Sequence, residues 1–146
     1  MEVFGLPLHP LVVHAAVVLV PLACLGALIV AVSRNARRRY GWLTAAFGLA
    51  GAASAVMARL SGEALFASIG GSPATVAHRN WGLVAPFPAI VLALAIPALL
   101  LLDRRTTGRP GRAFWIAAAI TVAAAVAGLA LVGLAGHTGA TAVWGR

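Results

Sequence analysis

Polar side chains divide the sequence into four long apolar runs. The runs extend over Leu11 to Val32, Gly41 to Leu60, Trp81 to Leu102 and Ala113 to Ala135. A helix of about 20 residues crosses a hydrocarbon core roughly 30 Å thick, and each run is that long. Helices satisfy their own backbone hydrogen bonds in lipid. The pattern therefore predicts an all-α integral membrane four-helix bundle, a single domain over 1–146 with spans at about 10–33, 41–60, 79–102 and 113–136.

The composition supports a membrane protein and argues against a nucleic-acid-binding one. Hydrophobic residues make up 62% of the chain, and charged residues 10%. A soluble domain normally carries about a quarter charged residues. The net charge of +8 comes from 11 basic residues, all of them arginine, and most lie in two short segments between apolar runs. Because no basic surface with interleaved aromatic residues is present, we expect no nucleic-acid partner.

The two arginine-rich segments set the predicted orientation. The connections 33–40 and 103–112 carry eight arginines against a single acid, Asp103, whereas 61–80 carries only Arg79 and Glu63. Positive loops mark the cytoplasmic side. Both termini and the 61–80 loop should therefore be non-cytoplasmic, in a multi-pass protein of the bacterial cytoplasmic membrane that contacts the lipid bilayer.

Small residues in the second and fourth runs indicate close helix contacts. Gly48 and Gly51 lie in the second run, and Gly128 and Gly133 in the fourth. Small residues let the backbones of transmembrane helices approach each other. We expect these faces to pack helices together and to support a homodimer.

All four histidines fall on the predicted outer side. His9 precedes Pro10 at the start of the first helix, where a helix-entry role is expected. His14 lies about one turn further in and is expected to point into the bundle. His78 and His137 lie at the outer ends of the third and fourth spans. Together the four predict a polar site near the outer face.

Haem b is the cofactor that these residues would suit. Imidazoles on different helices of a membrane bundle can ligate haem iron, and arginines can pair with its propionates. The candidate cofactor-binding residues are His14, His78, His137, His9, Arg59 and Arg79. A zinc or copper site built on His14, His78 and His137 is the alternative, although no spacing enforces their convergence. No nucleophile arrangement accompanies the histidines, so no catalytic residue is predicted.

Three functions stay open at this point. The first is an electron-transfer or redox-accessory protein with haem b and a redox partner protein. The second is a non-catalytic membrane subunit or scaffold without a cofactor, whose histidines form hydrogen bonds at the lipid interface. The third is a transport component that handles a transition metal or protons, based on Glu63, Arg59 and the histidines near one face.

Both ends of the chain resemble a known family. "GLPLHPLVVH", followed by an apolar helix that contains Pro21, is similar to the opening of the bacterial membrane family named domain of unknown function twenty-two thirty-one. The ending "GHTGATAVWG" resembles the close of that family, and "AHRNWG" matches its internal histidine. The resemblance covers nearly the whole chain and implies the fold and the four spans.

The resemblance implies little about activity. Members of the family are sometimes joined to Rieske-type iron–sulfur domains, which favours redox work at the membrane by analogy. This chain departs from the family pattern at Ala140, where a second glycine is common, and at Trp144, where a tyrosine is common. The second departure argues against a role for a tyrosine hydroxyl at that position.

Overall fold

The computed structural model describes residues 2–3, 6–106 and 109–145. Its helices are α1 (Leu8–Val32), α2 (Arg34–Ile69), α3 (Pro73–Val84), α4 (Pro86–Arg105) and α5 (Arg112–Trp144). Two short strands, β1 (Glu2–Val3) and β2 (Leu6–Pro7), pair antiparallel before α1. Four stretches are long and apolar enough to cross a membrane: Leu8–Val32, Arg34–Ile69, Thr75–Arg105 and Arg112–Trp144. The predicted all-α fold with four membrane-spanning helices is confirmed.

The arginine-rich segment after the first span is helical, although it was expected to be a loop. Only Ser33 separates α1 from α2, and its hydroxyl accepts a hydrogen bond from the Ala36 amide at 3.2 Å. Serine is a favourable N-cap because it satisfies one of the orphan amides of the first turn. Arginine also has high helix propensity. The arginines of 34–39 are therefore fixed on the first turns of α2.

The third span is broken at Ala85. α3 ends at Val84 and α4 begins at Pro86, with Pro88 in the first turn of α4. Proline has no amide N–H, so neither Pro86 nor Pro88 can donate to the carbonyl four residues earlier. The ladder of helical hydrogen bonds is therefore interrupted at the junction, and α3 packs mainly against α5.

The long helices form a four-membered ring. Each packs against two neighbours in the order α1, α2, α4, α5, and the diagonal contacts are few. The centre is filled by buried side chains such as Val20, Cys24, Leu92 and Ile96. Gly51 lies against the α1 backbone, where an added Cβ would come within 3.3 Å of the Val20 amide nitrogen. Gly48, Gly51 and Gly128 thus serve packing within the chain, as expected, whereas Gly133 is exposed and has no neighbour within 4 Å of an added Cβ.

The two halves of the bundle repeat each other. Buried Val20 and Ala27 of α1 correspond to buried Ala89 and Ile96 of α4, 69 positions later. α2 and α5 correspond at an offset of 77, with the buried pairs Thr44/Thr121 and Gly51/Gly128. The hydroxyls of both threonines donate to the carbonyl four residues earlier. This correspondence and the ring order indicate a pseudo-two-fold axis that runs along the bundle.

Candidate functional site

A cavity of about 390 Å³ opens at the end of the bundle where α1 begins. Its walls come from the start of α1, the last part of α2, one face of α3 and the end of α5. Most of the lining is apolar, and its charged and imidazole side chains are those of His9, Arg59, Glu63, His78 and Arg79. An apolar pocket of this size with a few convergent polar groups is typical of a site for a small molecule or cofactor.

His9 is held on α2 by its ring nitrogen and by a glycine. Nδ1 lies 3.1 Å from the Ala58 carbonyl oxygen and 3.2 Å from the Ser61 hydroxyl. The ring packs on Gly62, where an added Cβ would lie 2.9 Å from Cε1 of His9. Only a glycine therefore leaves space for the imidazole in this position.

His78 is held on α5 in the same way. Its Nδ1 lies 2.8 Å from the Ala135 carbonyl oxygen. The ring packs on Gly139, where an added Cβ would lie 2.9 Å from Nδ1. The carbonyl again precedes the glycine by four residues, so both lie on one face of α5.

These two arrangements are equivalent under the internal repeat. His78 follows His9 by 69 positions, and Ala135 and Gly139 follow their α2 counterparts by 77, which are the offsets of the core. The two rings lie next to each other in a T-shaped arrangement, with centroids 6.1 Å apart and planes at 69°. Because a carbonyl accepts only, each Nδ1 carries a proton and donates. In the neutral ring Nε2 then has no proton and is available as an acceptor or a metal ligand.

The charged groups at the cavity are partly paired. Arg79 donates to Glu63 through Nε at 2.7 Å and through Nη2 at 2.8 Å, which makes a bidentate ion pair between α3 and α2. The guanidinium of Arg59 lies over the Phe87 ring at 5.7 Å. Both arginines named from the sequence therefore line the cavity, but Arg79 already has a carboxylate partner.

His14 and His137 lie outside the cavity. His14 is exposed, and its Nδ1 hydrogen-bonds to the carbonyl of Pro10 on its own helix. The expectation that it points into the bundle is wrong, because five residues turn a helix by about 140° and His9 occupies the inward face. His137 is exposed at the end of α5. The described residues also contain no group of three or more His, Cys, Asp or Glu placed to hold a metal ion, so His14, His78 and His137 do not converge.

The sequence analysis missed Gly62 and Gly139 at the cavity, and it missed Arg37 at the other end of the bundle. Gly62 and Gly139 could have been found by comparing α2 with α5 at an offset of 77. The offset between α1 and α4 is 69, so a search with one fixed repeat length does not align both pairs of helices. Arg37 was read as an ordinary topology-setting arginine, but it is only 7% exposed. Asp103, the sole acid in either arginine-rich segment, was the available signal.

Arg37 joins all four long helices. Its Nη1 donates to the carbonyls of Val30 and Ala31 at the end of α1, at 2.8 and 3.0 Å. Its Nη2 lies 3.2 Å from Oδ1 of Asp103 on α4. Its guanidinium carbon lies 4.8 Å from the centroid of the Phe114 ring on α5. Phe114 occupies the position 77 residues after Arg37, so the halves differ chemically at this end.

The sequence matches a family of membrane proteins over nearly its whole length. Residues 5–146 match the family described as "Predicted membrane protein (DUF2231)". No curated protein and no solved structure gives a significant match.

Proposed function

We propose a function based on the cavity that contains His9 and His78. The chain belongs to the DUF2231 family of predicted membrane proteins. In this proposal the cavity binds haem b, and the protein is an electron-transfer or redox-accessory module of the bacterial cytoplasmic membrane. The observation that carries the proposal is the pair of neighbouring imidazoles from α1 and α3, each with Nδ1 bound to a backbone carbonyl. The family description assigns no activity, so the argument comes from the site.

The spacing of the two rings suits a single metal centre between them. A metal ion at about 2 Å from two opposed imidazole nitrogens keeps the ring centres roughly 6 Å apart. The rings of His9 and His78 are 6.1 Å apart. Carbonyl acceptors on the other ring nitrogen are the usual second contact of metal-ligating histidine, because they fix the tautomer and the ring orientation.

The number of ligands favours haem over a bare metal ion. Zinc and copper sites use three or four protein ligands, and the described residues supply no such group. A haem brings four equatorial nitrogens of its own and needs only two imidazoles from the protein. A transport component for a transition metal has less support for the same reason.

The cavity walls fit the remaining needs of a haem. Apolar side chains such as Val17, Phe66 and Val132 line it and would exclude water from the ring. Arg59 lies at the cavity without an ion pair among the described residues, so its guanidinium is available to donate hydrogen bonds to a propionate. Haem b supplies one-electron redox chemistry at its iron when bound. A redox partner protein is therefore part of the proposal.

A haem titration tests the proposal directly. The purified protein should bind haem at one equivalent per chain and develop the sharp α and β bands of bis-histidine ligation. His78→Gln removes the iron ligand but keeps an N–H for the Ala135 carbonyl, so it should fold and lose these bands. His137→Gln, an exposed histidine outside the cavity, is the matched control and should retain them. Absence of haem binding by the unaltered protein would refute the proposal.

The same contacts favour a second function, a scaffold without cofactor. His9 ties α1 to α2 and His78 ties α3 to α5, so the pair would stabilise the bundle even without a ligand. In that case His78→Gln and the unaltered protein show the same spectrum, with no iron by elemental analysis. The haem titration therefore separates the two functions.

A further inference from the structure

The arginine-rich end of the bundle contains a second cleft, remote from the histidines. It measures about 230 Å³ and is lined by Arg37, Arg38, Trp42, Leu100, Asp103 and Arg104. Three guanidinium groups face one carboxylate, and that carboxylate is already paired with Arg37. The cleft therefore carries a net positive charge of two and has the electrostatics of an anion site.

A buried donor in this cleft lacks an acceptor. The Arg37 side chain is 6% exposed, and its Nε is buried without a hydrogen-bond partner among the described residues. Both Nη atoms of Arg37 have acceptors, so the missing one belongs to Nε alone. A buried N–H without a partner costs about 1–3 kcal/mol, and native structures rarely leave one unsatisfied. Arg37 lines the cleft, so an anionic oxygen that enters beside its guanidinium would supply the missing acceptor.

We propose that this cleft binds the phosphate group of an anionic phospholipid. Phosphate oxygens match the fork of guanidinium donors, and Arg38 and Arg104 are exposed and can turn toward the ligand. Basic pockets between transmembrane helices at the membrane surface are suited to such head groups. We choose a lipid rather than a free phosphate ion because the cleft lies at the end of a membrane-spanning bundle whose outer surface carries exposed apolar side chains.

That surface would receive the acyl chains. Leu43 follows Trp42 on α2 and is 56% exposed, and Leu101 follows Leu100 on α4 and is 47% exposed. Trp42 is itself half exposed, with the Arg104 guanidinium 5.3 Å from its ring centroid. Tryptophan is enriched where the head groups lie. A head group in the cleft would thus place its chains along an exposed apolar face of the bundle.

The test counts retained lipid by native mass spectrometry. The full-length protein is mixed in a non-ionic detergent with phosphatidylglycerol, or with phosphatidylcholine as the uncharged comparison. Arg38→Gln/Arg104→Gln removes two cleft arginines and leaves the buried Arg37 in place, so the fold is preserved. Arg39→Gln/Arg112→Gln removes the same charge from the same end outside the cleft and is the matched control.

The unaltered protein should retain one phosphatidylglycerol in preference to phosphatidylcholine. The cleft variant should bind it about tenfold more weakly, and the control variant within about twofold of the unaltered protein. Equal losses in the two variants would show a diffuse charge effect and overturn the proposal. In the other arm of the test, inorganic phosphate is added and the thermal unfolding of the protein is measured. Stabilisation by phosphate alone, with the same dependence on the cleft arginines, would retain the anion site and overturn the lipid as its ligand.

Discussion

Replacement of Arg37 by methionine should strongly destabilise the bundle. Methionine keeps most of the side-chain length but removes the two hydrogen bonds to the end of α1 and the contact with the Phe114 ring. It also leaves the carboxylate of Asp103, which is 12% exposed, without its partner. Removal of one member of a buried ion pair costs about 3–5 kcal/mol, because the other charge stays buried and uncompensated. We expect a loss in that range.

A double-mutant cycle separates the charge from the hydrogen bonds. Asp103→Asn removes the second charge, so Arg37→Met/Asp103→Asn should be more stable than the sum of the single losses predicts. We expect a coupling of about 0.5–3 kcal/mol, the range for residues in direct contact. The remaining loss reflects the carbonyls of Val30 and Ala31, which lose the donor that Arg37 provides. An unsatisfied buried carbonyl costs about 1–3 kcal/mol.

Unfolding in dodecyl sulfate, followed by circular dichroism in mixed micelles, measures these free energies. Arg38→Met is the control, because Arg38 is exposed on the adjacent position and a surface change costs within about 0.5 kcal/mol. A loss for Arg37→Met no larger than that of this control, or a coupling of zero with Asp103, would refute the reasoning.

Three further predictions concern the site, the core and the orientation. Gly139→Ala should displace the His78 ring and weaken haem binding about tenfold or more, while Gly133→Ala, whose Cβ would meet nothing within 4 Å, should not; equal affinities in a haem titration would contradict this. Cys24 is 0% exposed, so it should resist a maleimide in the folded protein but react in dodecyl sulfate. Rapid labelling of the folded protein would contradict the buried position of Cys24 in the core. Alkaline phosphatase fused to the C-terminus should be active, because positive loops stay on the cytoplasmic side and the C-terminus is predicted to lie on the other. Fluorescence from a reporter that folds only in the cytoplasm, fused at the same position, would show the opposite orientation.

The choice between His9 and His14 shows where sequence reasoning reached its limit. Their five-residue spacing shows that a helix presents them on different faces. It does not show which face is inward, because α1 is apolar nearly all the way round and has no marked polar side. The inward face was decided by Ala58 and Gly62 of α2, which together accept and make space for His9.

The sequence alone determined the four spans, because the need to satisfy backbone hydrogen bonds in lipid leaves a long apolar run no other structure. It also placed the five charged and imidazole side chains of the cavity, those of His9, Arg59, Glu63, His78 and Arg79, near one end of the bundle. Only the tertiary structure decided which polar groups meet. The contacts of His9 with α2, of His78 with α5 and of Arg37 with Asp103 join residues that are 49 or more positions apart and on separate helices. These contacts depend on helix rotation and packing. Local periodicity contains no information on rotation when every face of a helix is apolar.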